Sequence, residues 1–139
     1  HELSDIYARE ALGTARAHTM ARAGTLSRHG IAFALHSDYT MAPAQPLNSA
    51  WVAVNRKNVA GHVVGPEERV RVEQALRAIT IDAAYVLGLE HEVGTLQPGK
   101  RADFTVLEQD PFEVPPEDLR DIKIWGTVFG GVPAPLEND

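Results

Sequence analysis

Cysteine is missing altogether from this sequence of 139 residues, which excludes disulfide staples and thiolate metal sites and leaves the compartment open, with a lean towards the cytoplasm. Basic residues are sparse too. Thirteen Lys and Arg stand against nineteen Asp and Glu for a net charge of -6, and the cations are scattered along the chain. Phosphate neutralisation needs a concentrated basic patch, so no nucleic-acid partner is expected. No apolar run approaches the ~20 residues that span a bilayer, so no membrane partner is expected either. The opening stretch HELSDIYARE has neither the basic start nor the apolar centre of a signal peptide, and His1 is given no role.

Several catalytic signatures are absent as well. None of the six histidines sits two residues from another, and HEVGT at 91–95 fails the His-Glu-x-x-His pattern because position 95 is threonine. No Gly-x-Ser-x-Gly surrounds Ser4, Ser27, Ser37 or Ser49. GTLQPGK at 94–100 lacks the spacing of a phosphate loop, which leaves Lys100 as a solvated turn lysine.

What is present has the texture of one globular domain: 44% of the residues are hydrophobic, enough to bury about two-thirds of the unfolded surface at this length. Up to about residue 88 the chain reads as helices around one short strand; beyond it come short β-type runs punctuated by Gly and Pro. Residues 5–29 are rich in helix formers but interrupted by Gly13 and Gly24, which predicts two short helices, the second ended by Gly30. IAFAL at 31–35 is a continuous apolar run too short for a helix. It reads as a strand buried on both faces, the kind found in parallel α/β sheets.

After Pro43 and Pro46, Leu47, Ala50, Trp51, Val54 and Asn58 recur at helical spacing, with Trp51 central and Asn48, Asn55 and Arg56 on the polar side. Another helical stripe runs through Val72, Ala75, Leu76 and Ile79. Thr80 then reads as the N-cap of a helix carrying Ala83, Val86 and Leu87 and closed by Gly88. Pro98-Gly99 suits a type II turn ahead of a strand at about 103–107, and a second β segment at 122–132 is broken at Gly130-Gly131.

Asp38 is the residue with chemical promise. A carboxylate just past the C-terminal end of a buried parallel strand stands where α/β folds place their active sites. An aspartate in this position is also a common turn or N-cap residue, and on the residues alone that plainer reading carries more weight.

A resemblance shifts the balance. FALHSDYTMAPAQPLNSAWVAVNRKN followed by VEQALRAITIDAAYVLGLEHEVGTLQPGKRADFTVLEQDP resembles the C-terminal end of a metal-dependent amidohydrolase of the subgroup called amidohydrolase family 3. The features that carry it are Gly94-Thr95-Leu96, Pro98-Gly99-Lys100, Ala102-Asp103 and Val106-Leu107, in order after the helix EQALRAITIDAA. The fold class it implies is α/β. Residues 1–91 would be the last βα portion of a (β/α)8 TIM barrel, with its last strand at about 31–36. Residues 92–139 would be the C-terminal part of a small β-sandwich, the whole being an incomplete fold.

In function the resemblance implies hydrolysis of an amide or related non-peptide C–N bond of a small-molecule substrate through a metal-activated water. Asp38 matches the family's aspartate that is both metal ligand and acid/base. His36, two residues away on the same face of the strand, could contact the substrate or support the ligands from behind, hydrogen-bonded packing being the plainer reading; His62 and His91 are expected to be exposed. The family's remaining ligands match nothing in this sequence. A divalent metal, zinc first, is therefore expected in the complete enzyme and none in this piece, which should be inactive by itself. Pro133 and Pro135 argue against a regular last strand. A barrel strand without neighbours should make the chain self-associate there or repack its helices over it. The alternative is a non-catalytic structural or interaction module built on the same fold.

Overall fold

The computed structural model describes residues 3–136, so His1 lies outside the described residues. Short helical elements come first: α1 (Ser4–Ile6), a π-type turn at Tyr7–Ala11, α2 (Thr14–His18) and α3 (Ala23–Arg28). Gly13 precedes α2 as expected, with φ 73°. Gly24, however, lies inside α3 instead of interrupting it, because its bare Cα packs against the Glu68 backbone, where a Cβ would meet the Glu68 Cα at 2.7 Å. The break falls at 19–22, where Ala21 takes φ 50°. Gly30 does end α3: its N–H donates to Ser27 C=O and that of Ile31 to Leu26 C=O, the paired bonds of a left-handed C-terminal cap.

The longest helix, α4 (Pro46–Asn55), organises the core. Its Ala50, Trp51, Ala53 and Val54 are buried and meet Val70 and Ala75 on one side, Leu119 and Ile122 on another. Trp51 Nε1–H donates to Glu117 C=O at 2.6 Å, the Arg120 guanidinium lies 3.9 Å from the indole centroid, and the Asn55 amide donates to Pro116 C=O. These contacts strap the 3₁₀ segment Pro116–Asp121 onto the helix.

Two further helices follow, α5 (Val72–Ala78) and α6 (Ile81–Val86). Thr80 precedes α6 but does not cap it through its side chain; the hydroxyl donates back to Leu76 C=O instead. Gly88 closes α6 with φ 71°, its N–H on Tyr85 C=O and the Leu89 N–H on Ala84 C=O. Gly94 explains why this helix and the glycine-rich loop occur together. A Cβ there would lie 2.9 Å from both the Ala84 Cβ and the Ile81 Cα.

Past the Pro98-Gly99 turn, where Gly99 has φ 90° and Lys100 N–H reaches Gln97 C=O, β1 (Phe104–Leu107), β2 (Ile124–Phe129) and β3 (Val132–Pro135) form an antiparallel sheet in that order. The expected irregular end is in fact a strand. Phe129 pairs with Val132 across the Gly130-Gly131 turn, and Leu136 N–H donates to Trp125 C=O, so the even-numbered residues of β3 donate inward. Pro133 and Pro135 fall between them at outward-facing positions of an edge, where no ladder donor is lost.

The expected strand at 31–36 belongs to no ladder among the described residues. Nor is it buried on both faces: Phe33 and Leu35 pack against the core while Ala32, Ala34 and His36 are exposed. The run has no neighbouring strand among the described residues, and beyond the cap bond from Ile31 to Leu26 it is tied to another element by Leu35 N–H to Ala78 C=O at 3.0 Å. The accessible surface is 9104 Å², whereas a closed monomer of 15.1 kDa has about 7,100 Å². No helix among the described residues is long and apolar enough to cross a membrane.

One buried carboxylate joins α3 to the segment after α4. Glu68, 3% exposed, accepts from Thr25 N–H at 2.6 Å and Thr25 Oγ1 at 2.5 Å, with Arg28 and Arg22 at 3.6 and 3.9 Å. Burial by itself would raise this carboxyl, but the Thr25 bonds and the two arginines outweigh it and hold it below the usual glutamate range. The folded value therefore lies below the unfolded one of about 4.3, and the stabilisation is complete above that unfolded value and lost as pH falls through the folded one. Glu68→Ala should cost about 1–3 kcal/mol in urea unfolding at neutral pH, with the deficit shrinking as the solution is acidified. Gly126→Ala tests the sheet. Its Cβ would meet the Ala134 carbonyl oxygen at 2.6 Å, so β3 should detach and its amides lose exchange protection while those of α4 keep theirs.

Candidate functional site

The route to Asp38 is set by the cap of α3 and by Leu35. The cap turns the chain out of the helix, and Phe33 and Leu35 anchor the run against the α4 core, so every second side chain from Ala32 onward stands on the uncovered side. His36 lies on that side, Asp38 follows where the backbone turns, and both are exposed. The structure thus brings together the two candidate residues that the sequence singled out.

At the end of the run the backbone turns sharply. Asp38 takes φ 52°, a left-handed conformation that costs a non-glycine residue roughly 1–2 kcal/mol. Its N–H donates to His36 Nδ1 at 3.1 Å and its C=O accepts from Met41 N–H at 2.6 Å. Both backbone groups are therefore occupied locally. The carboxylate oxygens make no hydrogen bond or ion pair with any described residue.

Beside this turn lies an open cleft of about 360 Å³, lined by His36, Ser37, Met41 and Ala42 from the loop and by Asn48, Ser49, Val52 and Arg56 from the α4 side. Asp38 stands outside its lining. Leu35, Val52 and Ala53 add apolar surface to a lining that also carries hydroxyl and amide side chains.

Arg56 is the residue that sequence periodicity misplaced. Expected on a polar helix face, it is instead the left-handed C-cap of α4, 9% exposed, with Nε on Val64 C=O, Nη1 on Ala21 C=O and Nη2 on Met20 C=O. Desolvation pulls its guanidinium down from the usual arginine value, with the Glu68 and Glu67 charges opposing. Asn55 and Asn58 are buried too. Asn58 binds Asp5 at 2.7 Å and Ser4 at 3.1 Å, while His62 Nδ1 lies 3.0 Å from Asp5. The available signal was the absence of Gly after the helix, which forces the left-handed cap onto a side chain needing its own partners. His62 and His91 are exposed and remote in sequence from the Asp38 turn. Among the described residues no three His, Asp or Glu converge as a metal site.

Comparison with known proteins follows the same outline. A model of the amidohydrolase family matches residues 1–135. The N-substituted formamide deformylase of Arthrobacter pascens is 35% identical over 103 residues, covering 74% of this chain and 19% of that protein. Protein LONG AFTER FAR-RED 3 of Arabidopsis thaliana is 37% identical over 99 residues, 70% of this chain and 17% of the plant protein. The chain thus spans about a fifth of the length of these curated relatives. A crystal structure of an amidohydrolase from Thermotoga maritima superposes with a TM-score of 0.58 at 23% identity, over 79% of this chain and 25% of that one, a likeness of fold. Since the family match runs through both the Asp38 turn and the Pro98-Gly99 turn, the chain belongs to amidohydrolase family 3.

Proposed function

We propose that this chain is the C-terminal part of a hydrolase that cleaves an amide or related non-peptide C–N bond of a small molecule, with Asp38 as the carboxylate this part contributes to a metal centre. The observation that carries the proposal is the state of Asp38: exposed, its carboxylate unpartnered among the described residues, and held at the turn that ends a run whose uncovered face bears His36. A structural turn aspartate ordinarily caps a nearby N–H with its side chain, and this one does not. The formamide deformylase supports the bond class by its name.

Amidohydrolases are generally metal-dependent. A catalytic zinc takes about three protein ligands, and the described residues offer no such group, so they do not make a metal site by themselves. In this proposal a divalent metal, zinc foremost, belongs to the complete enzyme; the barrel portion at 1–91 and the sandwich portion at 92–139 are parts of that larger fold; and the isolated chain is inactive. The surface excess agrees in size with this. About 2,000 Å² beyond a closed monomer matches the area of a substantial protein interface.

Partners of a metal ligand are worth about 10–100-fold in affinity or activity, so loss of a ligand should cost more. Asp38→Asn in the full-length protein is expected to lower turnover more than 100-fold and to lower the bound metal measured by elemental analysis; unchanged turnover would sink the assignment. For the isolated chain, the unpaired edges at 31–37 should drive self-association. Sedimentation velocity should show dimers or larger species growing in with concentration, and a monomer throughout the series would contradict it.

A further inference from the structure

We propose that His36 is a positioning residue for Asp38 that acts on its backbone and not on its carboxylate. The inference rests on the reading of Asp38 as the functional carboxylate, and its evidence is the geometry of the turn. Asp38 needs a left-handed backbone, φ 52°, which no glycine relieves. Two hydrogen bonds hold it there: Met41 N–H on the Asp38 carbonyl, and the Asp38 N–H on His36 Nδ1 at 3.1 Å. The second comes from a side chain and can be removed without touching the main chain.

Because Nδ1 accepts from the Asp38 N–H, Nε2 is the ring nitrogen left to donate. His36 therefore commits its acceptor to Asp38, in a residue that also lines the cleft with Ser37 and Met41. A net hydrogen bond of this kind is worth about 0.5–1.5 kcal/mol, comparable to the cost of the left-handed conformation at one residue. Losing it should release the turn while leaving the fold intact, since His36 is exposed and outside the α4 core.

Asparagine and glutamine separate the two ring nitrogens. The Asn amide oxygen can occupy the place of Nδ1, and that of Gln the place of Nε2. On the 139-residue chain the solvent-exchange rate of the Asp38 amide proton is measured by NMR, native chain and variants being compared at one pH, temperature and concentration. His36→Ala and His36→Gln should accelerate it about three- to tenfold, and His36→Asn should restore the native rate. An unchanged rate in His36→Ala, or rescue by Gln as good as by Asn, overturns the proposal. Failure of the functional reading shows elsewhere, as undiminished turnover of the full-length Asp38→Asn protein, which leaves this amide measurement standing. In that full-length protein, His36→Ala should lower kcat more than it changes KM, with Asn again restoring it; a loss confined to KM would also overturn the proposal.

Discussion

The seating of Trp51 is the contact on which the rest of this structure depends. Its ring is 5% exposed, its Nε1–H is satisfied by Glu117 C=O, and Arg120 covers one face. Removing such a side chain from a core costs about 3–5 kcal/mol, a large share of the 5–15 kcal/mol that holds a typical domain together. Trp51 also sits between the segment that ends at Asp38 and the one that leads into β2, because Phe33, Leu35, Leu119 and Ile122 all meet the same cluster. The position of the candidate carboxylate and the docking of the sheet are thus consequences of one helix.

Around this apolar centre the polar groups act as joints between short elements. Three-, five- and six-residue helices are too short to be stable on their own, so α1, α2 and α3 hold their places through side chains that reach across the chain. Arg56 does this for the 20–21 break, Glu68 for α3, and Asn58 for α1, each with its partners on carbonyls, hydroxyls or amides. Burying a guanidinium or a carboxylate without such partners would be prohibitive. Glu68 shows which effect prevails, since burial alone would push it towards neutrality and the hydrogen bonds with the arginines reverse that.

Much of this was legible in the sequence where local chemistry decides. Gly30, Gly88, Gly99 and the Gly130-Gly131 pair mark their turns because only backbone geometry is at stake there, and the stripe through Trp51 marks α4 because burial and spacing agree. Gly24 and the β3 prolines misled for one reason: the same residue type means different things according to what lies beside it in space. A glycine can be a break or a close approach, and a proline can remove a ladder bond or face outward from an edge. Arg56 and Asn55 were illegible as buried groups, since their partners come from up to 61 residues away. The pair His36 and Asp38 was visible as a pattern, but the hydrogen bond running to the backbone instead of the carboxylate depends on a left-handed φ that no spacing encodes.

The run from Ile31 to Ser37 shows how much its surroundings decide. An apolar pentapeptide signals burial without saying what does the burying, and here α4 covers only the side of Phe33 and Leu35. Ala32 and Ala34 are small, so the uncovered face presents little bulk ahead of His36 and Asp38. A strand meant for solvent on that side would alternate with polar residues, as half-exposed antiparallel strands do. Alanine there instead suits a face closed by other chain, with the two polar side chains reserved for the end where the backbone turns. A lone exposed carboxylate is also a weak cation ligand, because water competes for both partners; enclosure would strip that water and strengthen the interaction several-fold through the lower local dielectric. On the proposed reading of Asp38 as a metal ligand, the covering that the small side chains suit and the ligand strength of that carboxylate are the same physical requirement.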